Sequence, residues 1–315
     1  MMEKPLTEIK LIAIDIDGTL LNPDGEITAR VRGAIEAAQR AGIIVTLATA
    51  RRYFSTREIA DMLGLELPLI VYDGALIVNH PAQTILRSQP LSSHVAGQVV
   101  EIFRRCNIQP VVQPCDGLLE AVWTGPAEWD HPELATYIAT AGERLCRMSY
   151  EQLRAGRVDP LRVVAFASQE AIERVIPAVS SLACSWSRLS MGSYNCAELA
   201  IMHPGCSKAS GVAALAALYD VPLAQVMAIG DNTNDITMLQ TVGWGVAMGQ
   251  APAVVKAAAR AITASNQEDG VALAIEQYAL AQRPHVVSLR AVEMTAPLRS
   301  FPMRPDQVDK ALASD

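Results

Sequence analysis

The sequence predicts an α/β fold: a parallel sheet covered by helices on both faces, interrupted by an inserted α+β region. Three observations carry this. Short, continuously apolar stretches alternate with helical periodicity over the first 80 residues, as strands buried on both faces require. The same alternation returns after about residue 208. Between them the rhythm turns to a mixed pattern of helices and β-like stretches without βα regularity. The expected division is a core of residues 1–82 and 196–282, an insert of residues 83–195, and a C-terminal extension of residues 283–315.

The elements follow in order. "LIAI" (11–14) is a strand. Val31, Ala34, Ile35 and Ala38 recur at helical spacing, with Thr28 as N-cap and Gly42 as stop, so a helix is expected over 28–41. "IIVTLAT" (43–49) and "PLIVYDG" (68–74) are the next strands. In the insert, a helix over 92–105 precedes "QPVVQ" and "LLEAVWT", with Cys115-Asp116-Gly117 as a turn between them. "LRVVAFAS" leads to a helix over 169–182, then to "SRLSM" and "CAELAIM". The core resumes with a helix over 209–219, strand "VMAIGD" (226–231), a helix over 233–241 and strand "WGVAM" (244–248). A helix over 252–260, strand "AITAS" (261–265) and a helix over 270–282 complete it. The tail has four prolines and no sustained period after Arg283.

Composition narrows the function classes. The net charge is −7 and no Lys/Arg-rich run of five appears, which argues against a nucleic-acid partner. No apolar run reaches the length that spans a bilayer, and the charged start "MMEKPLTEIK" lacks a signal-peptide core. The six cysteines are scattered with no C-x-x-C pair, as free thiols of a reducing compartment would be. A cytoplasmic protein with no membrane partner is expected.

The chemistry gathers at strand ends. Asp15 and Asp17 follow the first strand, Thr49 ends the second and Asp73 the third, while Asp231 ends a late strand with Asn234 and Asp235 just beyond. In open parallel sheets ligands bind at the carboxyl ends of the strands. Several carboxylates on one rim repel each other unless a cation sits among them, and oxygen ligands in this number suit Mg2+ with a phosphate.

"DIDGT", Thr49, the isolated Lys208 and "GDNTND" together resemble the four ordered motifs of the haloacid dehalogenase-like (HAD) phosphatases. "MAIGDNTNDITMLQTVGWGVAMGQA" and "SNQEDGVA" resemble their Cof-type sugar-phosphatase branch, subfamily IIB. The resemblance implies a Rossmann-like core with an inserted cap of type C2. It implies a phosphomonoester hydrolase with a small phosphorylated metabolite, such as a sugar phosphate, as substrate. Asp15 would be the nucleophile that forms an aspartyl-phosphate, and Asp17 the general acid and base. Asp15, the Asp17 carbonyl and Asp231 would hold Mg2+, with Asp235 as a ligand or acting through water. Thr49, Lys208, Asn234 and the Ile16 amide would contact the phosphoryl group. A phosphotransferase or mutase on the same fold and a non-catalytic metabolite-binding regulator are the alternatives.

Four positions depart from the family pattern. Ala50 stands where glycine is common, Asp73 where asparagine is, Gln250 where asparagine follows Gly249, and Ala209-Ser210 where glycine follows the lysine. Some residues also have plainer readings. Asp235 could cap the helix that follows it. Trp123 and Trp129 fit core or surface packing better than substrate contact, and the five histidines show no ligand spacing.

Overall fold

The computed structural model describes residues 7–154, 159–189, 194 and 196–281. Its first strand, β1 (Leu11–Ile14), is apolar throughout because both its faces are covered. Ile12 and Ile14 enter one buried cluster and Leu11 and Ala13 another, on the opposite face. Beside it run β2 (Ile44–Leu47), with α1 (Ala29–Arg40) between them, and, after α2 (Tyr53–Met62), β3 (Leu69–Val71). The Thr28 side chain caps α1 by accepting the Val31 amide at 3.2 Å, as its sequence predicts.

β3 stops at Val71 rather than running to Gly74, because Tyr72 and Asp73 both take left-handed backbone angles, φ +53° and +52°. A hairpin of β4 (Leu76–Asn79) and β5 (Thr84–Ser88) follows, antiparallel to β3. The expected boundary at 82/83 therefore falls inside a hairpin.

Next come α3 (Ser93–Arg105), β6 (Val111–Pro114), β7 (Val122–Thr124), α4 (Pro132–Ala141) and β8 (Leu145–Arg147). After them are α5 (Tyr150–Arg154), β9 (Pro160–Ala167), α6 (Gln169–Val179), β10 (Ser185–Leu189) and β11 (Ala197–Met202). Strands β6 to β11 form one six-stranded sheet in the order β10-β11-β9-β6-β7-β8. The expected boundary at 195/196 cuts just ahead of β11, although β11 pairs antiparallel with both β9 and β10 and so belongs with the insert's strands. Its alternation explains why: Leu199 and Ile201 join the cluster on one face of this sheet, and Ala200 joins that on the other. The change of sheet thus comes after Met202.

The chain returns through α7 (Lys208–Leu218), β12 (Val226–Gly230), α8 (Ile236–Thr241), β13 (Trp244–Ala247), α9 (Ala253–Ala258), β14 (Ala261–Ile262) and α10 (Gly270–Ala274). The parallel sheet reads β14-β13-β12-β1-β2, and a bridge from Ala48 to Ile70 attaches β3 at its edge. Leu11 stands level with both Ile44 and Val226, which aligns the carboxyl ends of the three strands. Residues 283–315, the expected extension, lie outside the described residues. Among the described residues no helix is long and apolar enough to cross a membrane.

Candidate active site

Asp15 leaves β1 with its amide bonded to the Ile229 carbonyl of β12 at 3.0 Å, which fixes it at the carboxyl edge of the sheet. Its carboxylate accepts from Lys208 Nζ at 2.7 Å, and the same Nζ donates to Asp235 at 2.7 Å. Lys208 is the first residue of α7, whose start is set by a capping box between Ser207 and Ser210. That box accounts for Ser210 where the family has glycine nearby. The second Asp235 oxygen accepts the amides of Asp231 and Asn232, at 3.1 and 3.0 Å. Asp235 therefore does not cap the helix after it, as its place in the sequence suggested; its carboxylate closes the capping box of the turn before that helix, with Asn232 as the N-cap, and positions Lys208 at once.

Asp231 completes the group: one carboxylate oxygen each from Asp15, Asp231 and Asp235 lie within 4.8 Å of one another. Thr19 donates its hydroxyl to Asp231 at 2.8 Å. Gly18 adopts φ +80°, and a Cβ there would come within 2.4 Å of Asp231 Oδ2, so glycine leaves the acid its place. Burial drives the Asp15 carboxyl well above its ordinary range, against the pull of Lys208, and Asp235 and Asp231 add to the rise. Burial and then Asp235 push Asp231 up to about 6. Burial disfavours the Lys208 ammonium, but Asp15 and Asp235 outweigh it and raise its pKa. The acids outnumber the single lysine, and all the donors are hard oxygens. Such a set fits Mg2+ and would take up its charge.

The Asp17 carboxylate is not part of that cluster. Arg51 holds it by a two-pronged contact, Nε to Oδ2 at 2.7 Å and Nη2 to Oδ1 at 2.6 Å. Thr49 is buried at the end of β2, and its hydroxyl accepts the Arg51 amide at 3.1 Å. Asn234 donates to Asp73 Oδ1 at 3.2 Å, and its own Oδ1 is buried without a partner. Ile16 is buried beside Asp15 in the turn that carries Gly18. Gln250 bridges this turn to the far loop, donating to the Gly18 carbonyl and accepting the Asn266 amide.

A cavity of about 630 Å3 opens over these groups. Its lining includes Asp15, Asp17, Thr49, Lys208, Asp231 and Asn234. The opposite wall comes from the six-stranded sheet and α4, where Tyr137 stacks on Phe166 at 4.3 Å and Tyr194 meets both edge-on. Arg162 and Glu198 stand on the same face as Phe166, by strand alternation. Arg162 reaches Asp73 at 3.4 Å and also donates to Gln113. Burial, with Asp73 and Asp17 adding and Arg162 opposing, pushes Glu198 up to about 7. Trp123 packs in the second sheet's core and Trp129 is exposed.

Arg51, Arg52, Arg162 and Glu198 were missed as site residues. Arg51 was within reach, since it directly follows Thr49 and Ala50, which the sequence had marked. Arg162 and Glu198 are spaced 36 residues apart on neighbouring strands, which only the pairing of β9 with β11 brings together.

The family description of haloacid dehalogenase-like hydrolases matches residues 12–275. The chain is 30% identical over 276 residues to the 5-amino-6-(5-phospho-D-ribitylamino)uracil phosphatase YcsE of Bacillus subtilis, covering 87% of this chain and 97% of that one. It is 27% identical to the pyridoxal phosphate phosphatase YbhA of Escherichia coli, covering 84% and 96%. Among solved structures, a HAD subclass IIB sugar phosphatase superposes with TM-score 0.70 at 23% identity, over 85% of this chain and 98% of that one. A haloacid dehalogenase-like hydrolase from B. subtilis gives TM-score 0.70 at 26% identity, over 85% and 99%.

Proposed function

The chain belongs to the haloacid dehalogenase-like hydrolases, in their Cof-type branch, and is a phosphatase; from that premise we propose that it hydrolyses a small phosphorylated metabolite through an aspartyl-phosphate on Asp15, with Mg2+ as cofactor. The observation that carries the reading is Lys208 held between Asp15 and Asp235, with Asp231 beside them at the mouth of a cavity.

In the first step an Asp15 oxygen attacks phosphorus and the ester C–O–P bond breaks on the phosphorus side, while Asp17 gives its proton to the departing alkoxide. In the second, Asp17 takes a proton from water, whose oxygen attacks the phosphorus. The acyl-phosphate bond breaks, phosphate leaves and Asp15 is restored. Lys208, the Thr49 hydroxyl, the Asn234 amide and the Ile16 amide donate to the phosphoryl oxygens, where charge builds up. Asp15, the Asp17 carbonyl and Asp231 would hold Mg2+, with Asp235 in support, and the ion would supply positive charge beside those oxygens. The six-stranded sheet with its helices is the cap: it closes the cavity opposite the catalytic acids, excludes water and reads the alcohol part of the substrate. Sugar phosphates are among the alcohols such a polar, aromatic-walled cavity could take. The scattered, unpaired cysteines support a cytoplasmic setting.

The test is hydrolysis of a panel of metabolite phosphomonoesters with Mg2+ and with chelator. Turnover should appear with Mg2+, vanish with chelator and be lost in Asp15→Asn after deamidation back to aspartate is excluded. A panel with no substrate, or an active Asp15→Asn, would overturn the reading.

A further inference from the structure

Four basic side chains line the cavity, and three of them are already matched by acids. Lys208 sits between Asp15 and Asp235, Arg51 grips Asp17, and Arg162 is on Asp73. Arg52 has no such match. It is only 6% exposed, its guanidinium has no hydrogen bond or ion pair among the described residues, and its Nη1 is buried without a partner. Its guanidinium lies over the face of the Tyr137 ring, 5.7 Å from the centroid. The acid that reaches the start of its helix, Glu120, accepts from the Phe54 amide and the Tyr72 hydroxyl and forms no ion pair with Arg52 among the described residues.

A guanidinium removed from water without a counter-charge is costly, and the cost is met only if something else brings the negative charge. Neighbouring groups in the wall do not, since Glu198 faces Arg162, Asp73 and Asp17. The position fits a ligand group instead. Arg52 follows Thr49 by three residues at the head of α2, with Tyr137 of α4 against its guanidinium, and it lines the same cavity as Thr49, Asp15 and Lys208. A planar fork of donors is suited to a carboxylate or a phosphate.

We propose that Arg52 determines specificity by binding a second anionic group, a carboxylate or a second phosphate, on the alcohol part of the substrate. The proposal rests on the phosphatase reading above and deepens it: the preferred substrates are phosphomonoesters with two anionic ends.

The test uses the full chain with Mg2+ and two matched pairs of esters. In 3-phosphoglycerate against glycerol 3-phosphate the second group is a carboxylate; in fructose 1,6-bisphosphate against fructose 6-phosphate it is a phosphate. The parent should favour the member with two anionic groups in at least one pair in kcat/KM by on the order of tenfold or more, and the pair shows which anion is read. Arg52→Gln should collapse that ratio, chiefly through KM, and Arg52→Lys should restore part of it. Without ligand, Arg52→Gln should melt no lower than the parent, because it removes an unmatched buried charge; a residue kept for structure would shift Tm downward. Equal kcat/KM within both pairs would overturn the proposal. So would a ratio that survives Arg52→Gln, or the same loss on all four esters, which would place Arg52 on the phosphoryl group. No hydrolysis of any of the four, in a protein that cleaves other esters of the metabolite panel, would overturn this proposal and leave the phosphatase reading standing.

Discussion

Arg51 grips the Asp17 carboxylate with two parallel contacts, at 2.6 and 2.7 Å, and so holds it apart from the acid cluster two residues earlier in the chain. Neighbouring acids are thereby separated into two tasks. Asp15 is engaged by a lysine among the acids that would share a metal, and Asp17 faces the cavity where a leaving group departs. Lysine cannot reproduce the planar grip. Arg51→Lys should therefore lower kcat/KM for esters with poor leaving groups by a factor of about 10², the usual scale of acid–base help. It should do so far less for p-nitrophenyl phosphate, whose leaving group needs no proton. Equal losses on the two ester types would show that Arg51 acts on the phosphoryl group and not through Asp17.

Much of this was legible in the sequence because burial on both faces of a parallel sheet leaves an unbroken apolar run, as in β1, with polar residues left for the strand ends. Asp15, Thr49 and Asp231 could be found that way, and Lys208 only by its place among the four ordered motifs. β5 could not: its five residues are exposed or half-buried, so it shows no period. β11 was readable as a strand but the boundary beside it was not, since its pairing with β9 is set by tertiary contact. Arg52 looked like any surface arginine. Its burial and its lack of a partner come from α4 folding over it, more than 70 residues later.

Asp73, where the family commonly has asparagine, allows a direct comparison. Its carboxylate accepts from Arg162 at 3.4 Å and from Asn234 at 3.2 Å, and both it and Arg162 are buried. Its left-handed backbone suits asparagine as well as aspartate, so Asp73→Asn tests the charge without straining the chain. Removing one partner of a buried pair should cost about 3 kcal/mol, read from urea unfolding. Unchanged stability would mean that Gln113 alone satisfies Arg162.

Gly18 sets the place of Asp231. With φ +80° and a prospective Cβ 2.4 Å from Asp231 Oδ2, Gly18→Ala must push that carboxylate aside. The Mg2+ concentration for half-maximal activity should rise. The stabilisation by Mg2+, about 2.7 kcal/mol for the parent at a hundredfold excess over its Kd, should shrink in the variant at the same concentration. Circular dichroism of both proteins should match. An unchanged Mg2+ midpoint would remove Asp231 from the metal site.

Glu198 couples the cavity wall to pH. It is nine-tenths buried on β11, level with Phe166 of β9 and on the same face as Arg162, with Asp73 and Asp17 also acting on it, and its carboxyl is pushed up to about 7 from an ordinary 4.5. Below about pH 4.5 the group is protonated whether the chain is folded or not, and contributes no pH dependence. Between 4.5 and 7 the unfolded chain has released the proton while the folded one keeps it, so stability falls as pH rises, by about 1.4 kcal/mol per unit. Above 7 both states are ionised and the full cost, on the order of 3 kcal/mol, stays in place. Glu198→Gln has nearly the same shape and cannot ionise, so it escapes that loss. Urea unfolding at pH 5 and pH 8, in chelator so that the catalytic acids titrate alike in both proteins, should show the variant gaining on the parent by about 2 kcal/mol or more at the higher pH. A difference that stays flat between the two pH values would mean that Arg162 holds Glu198 ionised throughout. The cavity wall would then carry a fixed negative charge facing any substrate that enters.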